Sequence, residues 1–203
     1  MPRDGRPDVS AGVASRVEEA LSIRMARGED IEPFVNHVAA HVMQSGKDGA
    51  PYFAMSRKVG RDEIRESAIT RWSRRLDEPL WGRSWLLWLD GIGVPRRVVG
   101  HIDLRGGRLP AEMHRAVLGM GIERPFTGHG HGGRLLETAI SWARDVAGLS
   151  WIDLGVFANN APARKLYARA GFVEVGVRED AFRVDDRVSV DDIQMTLALR
   201  LTP

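Results

Sequence analysis

The ten residues "TGHGHGGRLL" (127–136) decide how this chain is read. Gly128, Gly130 and Gly133 spell the G-x-G-x-x-G of a dinucleotide-binding loop, and apolar residues follow at helical spacing: Leu135, Leu136, Ala139, Ile140, Ala143 and Val146, up to Gly148. A glycine-rich turn that opens a helix aims unpaired backbone N–H groups at the positive end of the helix dipole, where phosphates bind. Glycine alone does not establish a ligand, because a plain loop also uses it wherever φ must be positive. The elements on either side have to decide.

Upstream, "LSIRMA" (21–26) alternates as a half-buried strand does, and Gly28, Glu29 and Asp30 open a helix carrying Ile31, Phe34, Val35, Val38 and Val42 on one face. Residues 46–51 break it. "YFAMS" leads into a second helix with Ile64, Ala68, Trp72 and Leu76 on one face and Arg61, Arg65, Arg71, Arg74 and Arg75 on the other, a cationic surface for solvent or, less simply, for a phosphate. The period then becomes that of strands: "SWLLWLDG", a turn at 91–95, "RRVVGHIDLRGG", and "HRAVLGMGI" (114–122), an antiparallel meander. Downstream of the loop helix, "WIDLGVFA" suits a parallel strand buried on both faces, so a βαβ unit begins at His114. Asn159 and Asn160 cap a short helix with Ala163, Leu166, Tyr167 and Ala170 inward, Gly171 ends it, and "FVEVGVRE" and "DIQMTLALRL" supply two more strands. The predicted fold is α+β in three layers: a mixed, largely antiparallel twisted sheet of about seven strands with helices on both faces.

That order weighs against NAD. A dinucleotide domain continues with parallel βα units and places its ribose-binding acid at the exposed end of the next strand. Here a meander precedes the loop, one short helix and two strands follow, and Asp153 falls in mid-strand. No Lys-Ser or Lys-Thr follows the glycines, so a P-loop is absent as well.

The 203 residues suffice for one ordinary domain, read as a flexible tail over 1–19 and a single domain over 20–203. The opening "MPRDGRPDVSAGVASR" lacks the apolar core of a secretory signal, and the longest strongly apolar stretch, 85–89, is too short to span a bilayer; a cytoplasmic protein without a membrane partner is expected. Twenty-nine Lys and Arg against 27 Asp and Glu argue for a small or neutral partner over nucleic acid, with a homodimer left open. The absence of cysteine excludes disulfides, thiolate metal sites and a cysteine nucleophile from within the chain.

Two motifs carry a family resemblance. "GMGIERPFTGHGHGGRLLETAISWA" (119–143) followed by "VFANNAPARKLYARAGFVEVG" (156–176) resembles the GCN5-related N-acetyltransferases (GNAT), which move an acetyl group from acetyl-CoA to an amine. The family's Arg/Gln-x-x-Gly-x-Gly/Ala falls on Thr127, Gly130 and Gly132; threonine here removes a side chain and keeps the backbone amides. The second motif, Asn-x-x-Ala-x-x-Leu-Tyr-x-x-x-Gly-Phe, falls on Asn160, Ala163, Leu166, Tyr167, Gly171 and Phe172 without a gap. The resemblance implies the GNAT (acyl-CoA N-acyltransferase) fold, acetyl-CoA as cosubstrate and no metal. It places the CoA pyrophosphate on the amides of Gly128, His129, Gly130, His131, Gly132 and Gly133. Met120, Gly121 and Ile122 would pair their backbone with pantetheine like an added strand, one N–H polarising the thioester carbonyl. Asn160 would reach the pantetheine as well as cap its helix.

The chemistry then needs an acid and a base. The family commonly stabilises the departing thiolate with the tyrosine found here as Tyr167, whose inward spacing also fits simple packing. His114 occupies the place of the glutamate base of histone-type members; the plain alternative is an exposed histidine at a strand start. Members that acetylate ribosomal-protein N-termini often carry a glutamate five residues before the motif Asn, which is Gly155 here, so Glu123 and Asp153 are the reserve candidates, catalytic or merely structural. His129 and His131 lack a nearby third ligand for a metal. Trp81, Trp85 and Trp88 suit a core better than an aromatic box. Asp185, Asp186, Asp191 and Asp192 flank the last strand, either as hairpin surface charges or as an attraction for a cationic amine. The expected function is acetyl transfer to a primary amine by direct attack in a ternary complex, first of a small molecule and second of a peptide N-terminus or lysine. Residues 31–76 and the last hairpin would wall the amine pocket. A catalytically silent acetyl-CoA-binding module is the alternative from another class.

Overall fold

Alternation along each strand sorts the chain's apolar residues onto two sides of one sheet, and each side is covered by a pair of helices. In this computed structural model the described residues are 21–47, 59–91, 94–185 and 188–199; the expected N-terminal tail, "YFAMS", and Asp186 lie outside them. The strands are β1 Leu21–Met25, β2 Gly82–Gly91, β3 Val94–Gly106, β4 Arg115–Ile122, β5 Trp151–Phe157, β6 Val173–Asp185 and β7 Val188–Ala198. They form a seven-stranded sheet in the order β1-β2-β3-β4-β5-β7-β6. All neighbours are antiparallel except β4 and β5.

Helices α1 (Ile31–Gln44) and α2 (Arg61–Ser73) cover one face with Phe34, Val35, Val38, Ile64 and Ala68 against Leu86, Trp88 and Val98. Helices α3 (His131–Asp145) and α4 (Ala161–Arg169) cover the other, where Leu135, Leu136 and Ala139 meet Leu87, Ile102, Leu104 and Ile152. Truncating any one of these fully buried leucines or isoleucines to alanine costs about 2–5 kcal/mol. The start of α1 is tied to β1 by Asp30, which is buried, accepts both Arg24 guanidinium donors at 2.6 and 2.7 Å and takes the Arg27 N–H at 2.8 Å. The arginine face of α2 is largely committed within the fold. Arg65 pairs with Glu32 of α1 and with Asp62, and Arg61 donates to Asn36 at 2.5 Å. Trp81, just before β2, and Trp85 within it fill the core beside Trp142, and Trp88 lies between the Arg24 and Arg96 guanidiniums.

One prediction needs correcting. "WIDLGVFA" is parallel to β4 over three residue pairs only, Arg115↔Trp151, Ala116↔Ile152 and Val117↔Asp153, whereas its whole length pairs antiparallel with β7. It is also not buried on both faces. Ile152, Leu154 and Val156 are buried toward α3, while on the α1 side Phe157 is buried and Trp151, Asp153 and Gly155 are not. The reason is that β4 and β5 part after Val117 and Asp153. Beyond that point β4 is paired, among the described residues, on its β3 side alone, up to Ile122 opposite Gly100.

Candidate active site

The parting of β4 and β5 leaves one edge of residues 118–122 without a partner strand among the described residues, an open row of backbone donors and acceptors. The side chains of β4 alternate there. Met120 and Ile122 point to the α3 side; Gly119 and Gly121 stand on the α1 side, opposite Asp103 and His101 of β3.

On the α3 side the gap meets the glycine loop. Gly128 and Gly130 have φ of +81° and +83°, the left-handed region that favours glycine, and Gly130 is the N-cap of α3. The first intrahelical bond here runs from Arg134 N–H to the Gly130 carbonyl at 3.2 Å, so the amides of His131, Gly132 and Gly133 precede it, and no acidic side chain occupies the first turn. A Cβ built on Gly128, Gly130 or Gly133 would meet nothing within 4 Å, so the outer surface of the loop is open. Gly132 differs: a Cβ there would lie 3.1 Å from Leu166 of α4 and 3.5 Å from Ile122 of β4. That glycine lets α3, α4 and β4 converge. Positive φ therefore demands glycine at 128 and 130, close packing favours a small residue at 132, and neither asks for glycine at 133, the third glycine of the dinucleotide reading.

Helix α4 begins at Asn160, whose Oδ1 accepts the Ala163 N–H at 3.2 Å as a cap. It presents Tyr167, buried among the α3-side core residues with its ring centroid 5.7 Å from that of Phe172. Burial and then the nearby charge of Asp103 push the phenol up to about 12.

The α1 side holds a group of residues of which the motif reading named Glu123 alone. His37 Nε2 lies 3.0 Å from His101 Nδ1, His37 Nδ1 lies 3.5 Å from Glu123 Oε1, and Glu123 accepts Arg97 Nη1 at 2.7 Å on both oxygens. His101 Nε2 is 3.8 Å from Asp103 Oδ1. His41, one turn along α1 from His37, lies against Gly121, 3.0 Å from the place a Cβ would take. Burial holds His41 down to about 4 and His101 well below the usual imidazole range. Glu123 is half-desolvated, but His37 and Arg97 hold its carboxyl below the ordinary range, so it stays ionised and occupied. A glycine at every second position of "LGMGIE" and a His pair at i, i+4 were the only local signs of this cluster.

The remaining candidates separate. His114 is exposed in the turn before β4, at the opposite end of that strand from Glu123; its carbonyl accepts the Ser150 and Trp151 N–H groups. Asp153 is held by Arg115 at 2.6 and 2.8 Å and by Thr196 at 2.7 Å, which keep it ionised below its usual range despite partial burial. His129 stacks on the buried His131, ring centroids 6.1 Å apart, and no group of three or more His, Asp or Glu with the geometry to hold a metal occurs among the described residues. Asp191 accepts the Asp180 N–H at 2.9 Å. Asp192 is 4% exposed, not the hairpin surface charge its sequence position suggests.

Comparison with known proteins identifies the family and the fold. Residues 53–172 match the model of the Acetyltransferase (GNAT) family. The chain is 28% identical over 101 residues to the L-amino acid N-acetyltransferase AaaT of Escherichia coli (strain K12), a match over 50% of this chain and 59% of that protein, so it spans less than two thirds of this relative's length. Among solved structures, an acetyltransferase of the GNAT family from Streptococcus pneumoniae superposes with a TM-score of 0.69 at 22% identity, covering 88% of this chain and 99% of that one. Spermidine N-acetyltransferase from Vibrio cholerae, in complex with CoA and spermine, superposes at 0.68 and 19% identity, covering 89% and 96%. A Salmonella typhimurium protein solved with its cofactor acetyl-CoA superposes at 0.70 and 20% identity, covering 89% and 95%.

Proposed function

The chain belongs to the GNAT family of acetyltransferases, and from that premise we propose that it transfers the acetyl group of acetyl-CoA to a primary amine of a small molecule, by direct attack in a ternary complex. The observation that carries this reading is the gap where β4 and β5 part, closed on the α3 side by a glycine-shaped helix N-terminus and a buried tyrosine. A strand edge left unpaired inside a sheet offers its backbone donors and acceptors to an extended ligand.

Acetyl-CoA supplies the activated acyl group. The amides at the start of α3 would hold its pyrophosphate, and the free edge at Met120, Gly121 and Ile122 would hold the pantetheine arm and polarise the thioester carbonyl. Tyr167 stays protonated at every physiological pH. With its phenol near 12 and an alkyl thiol near about 8.5, full proton transfer to sulfur is uphill by about 5 kcal/mol, so Tyr167 acts as a hydrogen-bond donor to the departing thiolate, and the proton that ends on sulfur comes from the amine nitrogen. The Arg97–Glu123–His37–His101 chain holds the α1 wall against β4. An α-amino acid is the first acceptor to try, on the strength of the partial match to an L-amino acid N-acetyltransferase.

Thermal melting with millimolar acetyl-CoA, CoA or NAD tests the cosubstrate: a rise with acetyl-CoA and none with NAD is expected. Free-thiol release across a panel of amino acids, polyamines and peptides tests the reaction. Melting that responds to NAD alone overturns the reading; binding of acetyl-CoA without turnover on any amine leaves a silent binding module.

A further inference from the structure

The gap between β4 and β5 is symmetrical in a way that points to its missing base. Gly119 of β4 and Gly155 of β5 each stand two residues past the last parallel pair, Val117↔Asp153, and both occupy the α1 side of their strands. Each glycine is covered by an aspartate from the strand next to it. Asp103 of β3 reaches over Gly119, with Oδ1 2.9 Å from the place a Cβ would take; Asp192 of β7 reaches over Gly155, with Oδ1 at 2.6 Å and Oδ2 at 2.9 Å. The space that a side chain at 155 would fill is filled by the Asp192 carboxylate.

We propose that Asp192 is the general base that deprotonates the acceptor amine, working from the β5 side of the gap while Tyr167 works from the α3 side. This rests on the acetyltransferase reading above and names a residue of that same site. Arg178 of β6, at 3.3 Å, and Gln194 of β7 both hold Oδ2, while Oδ1 is the oxygen nearer the Cβ position of Gly155. Among the described residues, Arg178 is the charged group facing the carboxylate and Gln194 the polar one; β5 offers Gly155 and Phe157, neither titratable. One ion pair to a largely exposed arginine does not outweigh the desolvation of a nearly buried carboxyl, whose proton affinity is raised, and a base needs that affinity. The alternatives lack it: Glu123 and Asp153 are each held ionised by an arginine, and His114 is at the far end of β4.

The step balances. The ammonium N–H bond breaks and its proton passes to Asp192; the nitrogen lone pair forms the C–N bond as the thioester C–S bond breaks. The sulfur leaves with the pair and takes the second nitrogen proton, and Asp192 returns its proton to water.

The test uses the full chain with acetyl-CoA and whichever amine gives turnover. Asp192→Asn is expected to lower kcat at least about 100-fold, to remove the acidic limb of the kcat/KM profile, and to leave the acetyl-CoA-induced rise in melting temperature intact. Formate is expected to restore part of the lost rate in Asp192→Ser, a signature that a structural role would not produce. Gly155→Ala, whose methyl competes with the carboxylate for one space, is expected to lower kcat with acetyl-CoA binding unchanged. An Asp192→Asn protein that turns over at the wild-type rate with the wild-type pH profile overturns the assignment. So does a rate loss that keeps the acidic limb and is not rescued by formate. Absence of turnover in the wild type with every amine overturns the acetyltransferase reading itself, a result distinguishable from either.

Discussion

The two walls of the gap are made of different material. The α3 wall is backbone: positive-φ glycines, a helix N-terminus and one close approach at Gly132 that leaves room for no more than a small residue. The α1 wall is side chains: His37, His41, His101, Asp103, Glu123 and, across the gap, Asp192, brought from α1, β3, the end of β4 and β7. The contrast teaches that a site built from main chain demands a few residue types at fixed spacing, whereas a site built from side chains can draw each group from any element that reaches it.

The sharpest way to break this comparison is to spoil the backbone wall at one atom. Gly132→Leu, which drives a side chain between Leu166 and Ile122, is expected to abolish the melting-temperature rise with millimolar acetyl-CoA, corresponding to affinity weakened about 100-fold or more. Gly133→Ala, with open space at its Cβ and no positive φ, is expected to keep that rise. If the two variants behave alike, the glycines are not sorted by geometry as described.

On the tyrosine between the walls, Tyr167→Phe is expected to lower kcat about 100-fold through loss of one donor to the thiolate, with acetyl-CoA binding unchanged in a melting assay. An unchanged kcat would reduce Tyr167 to packing against Phe172.

The side-chain wall also makes a prediction for stability. His41 binds its proton near 4 in the folded state and near about 6.5 when unfolded, so the unfolded chain holds more protons between those values, and stability is lost as pH falls through that window. At pH 5 the loss from this residue is about 2 kcal/mol, equivalent to a melting temperature several degrees lower than at pH 7.5. His101 acts in the same direction. Differential scanning calorimetry of His41→Gln is expected to show a shallower dependence over that range; an equally steep one removes His41 as the cause.

The smallest effect belongs to the residue that sequence spacing favours as base. His114→Ala, in an exposed turn away from both walls, is expected to change kcat/KM by less than about 2-fold, and a larger loss would return the base to the start of β4.

Much of the fold is legible in the sequence, because strand alternation, helical periodicity and glycine stops at Gly148 and Gly171, both at positive φ, are local signals. The order β5-β7-β6 is not, since nothing in "FVEVGVRE" or "DIQMTLALRL" says which strand will sit against β5. Nor is the parting of β4 from β5: "WIDLGVFA" reads as a doubly buried parallel strand because apolar residues stand on both of its sides, Ile152, Leu154 and Val156 toward α3 and Trp151 and Phe157 on the other, while Gly155, uncharged and small, hides that the second side is open at its middle.

The sequence by itself determined the alternation of elements, the glycine loop at the head of α3 and the tyrosine on α4, because each rests on φ angles, spacing and capping within a few residues. Only the tertiary structure decided that Glu123 is spoken for by Arg97 and His37, that three histidines meet beneath Gly121, and that Asp192 lies over Gly155. Those facts depend on which distant strands become neighbours and on how much water is left between them, and proton affinity follows from that neighbourhood rather than from the residue type.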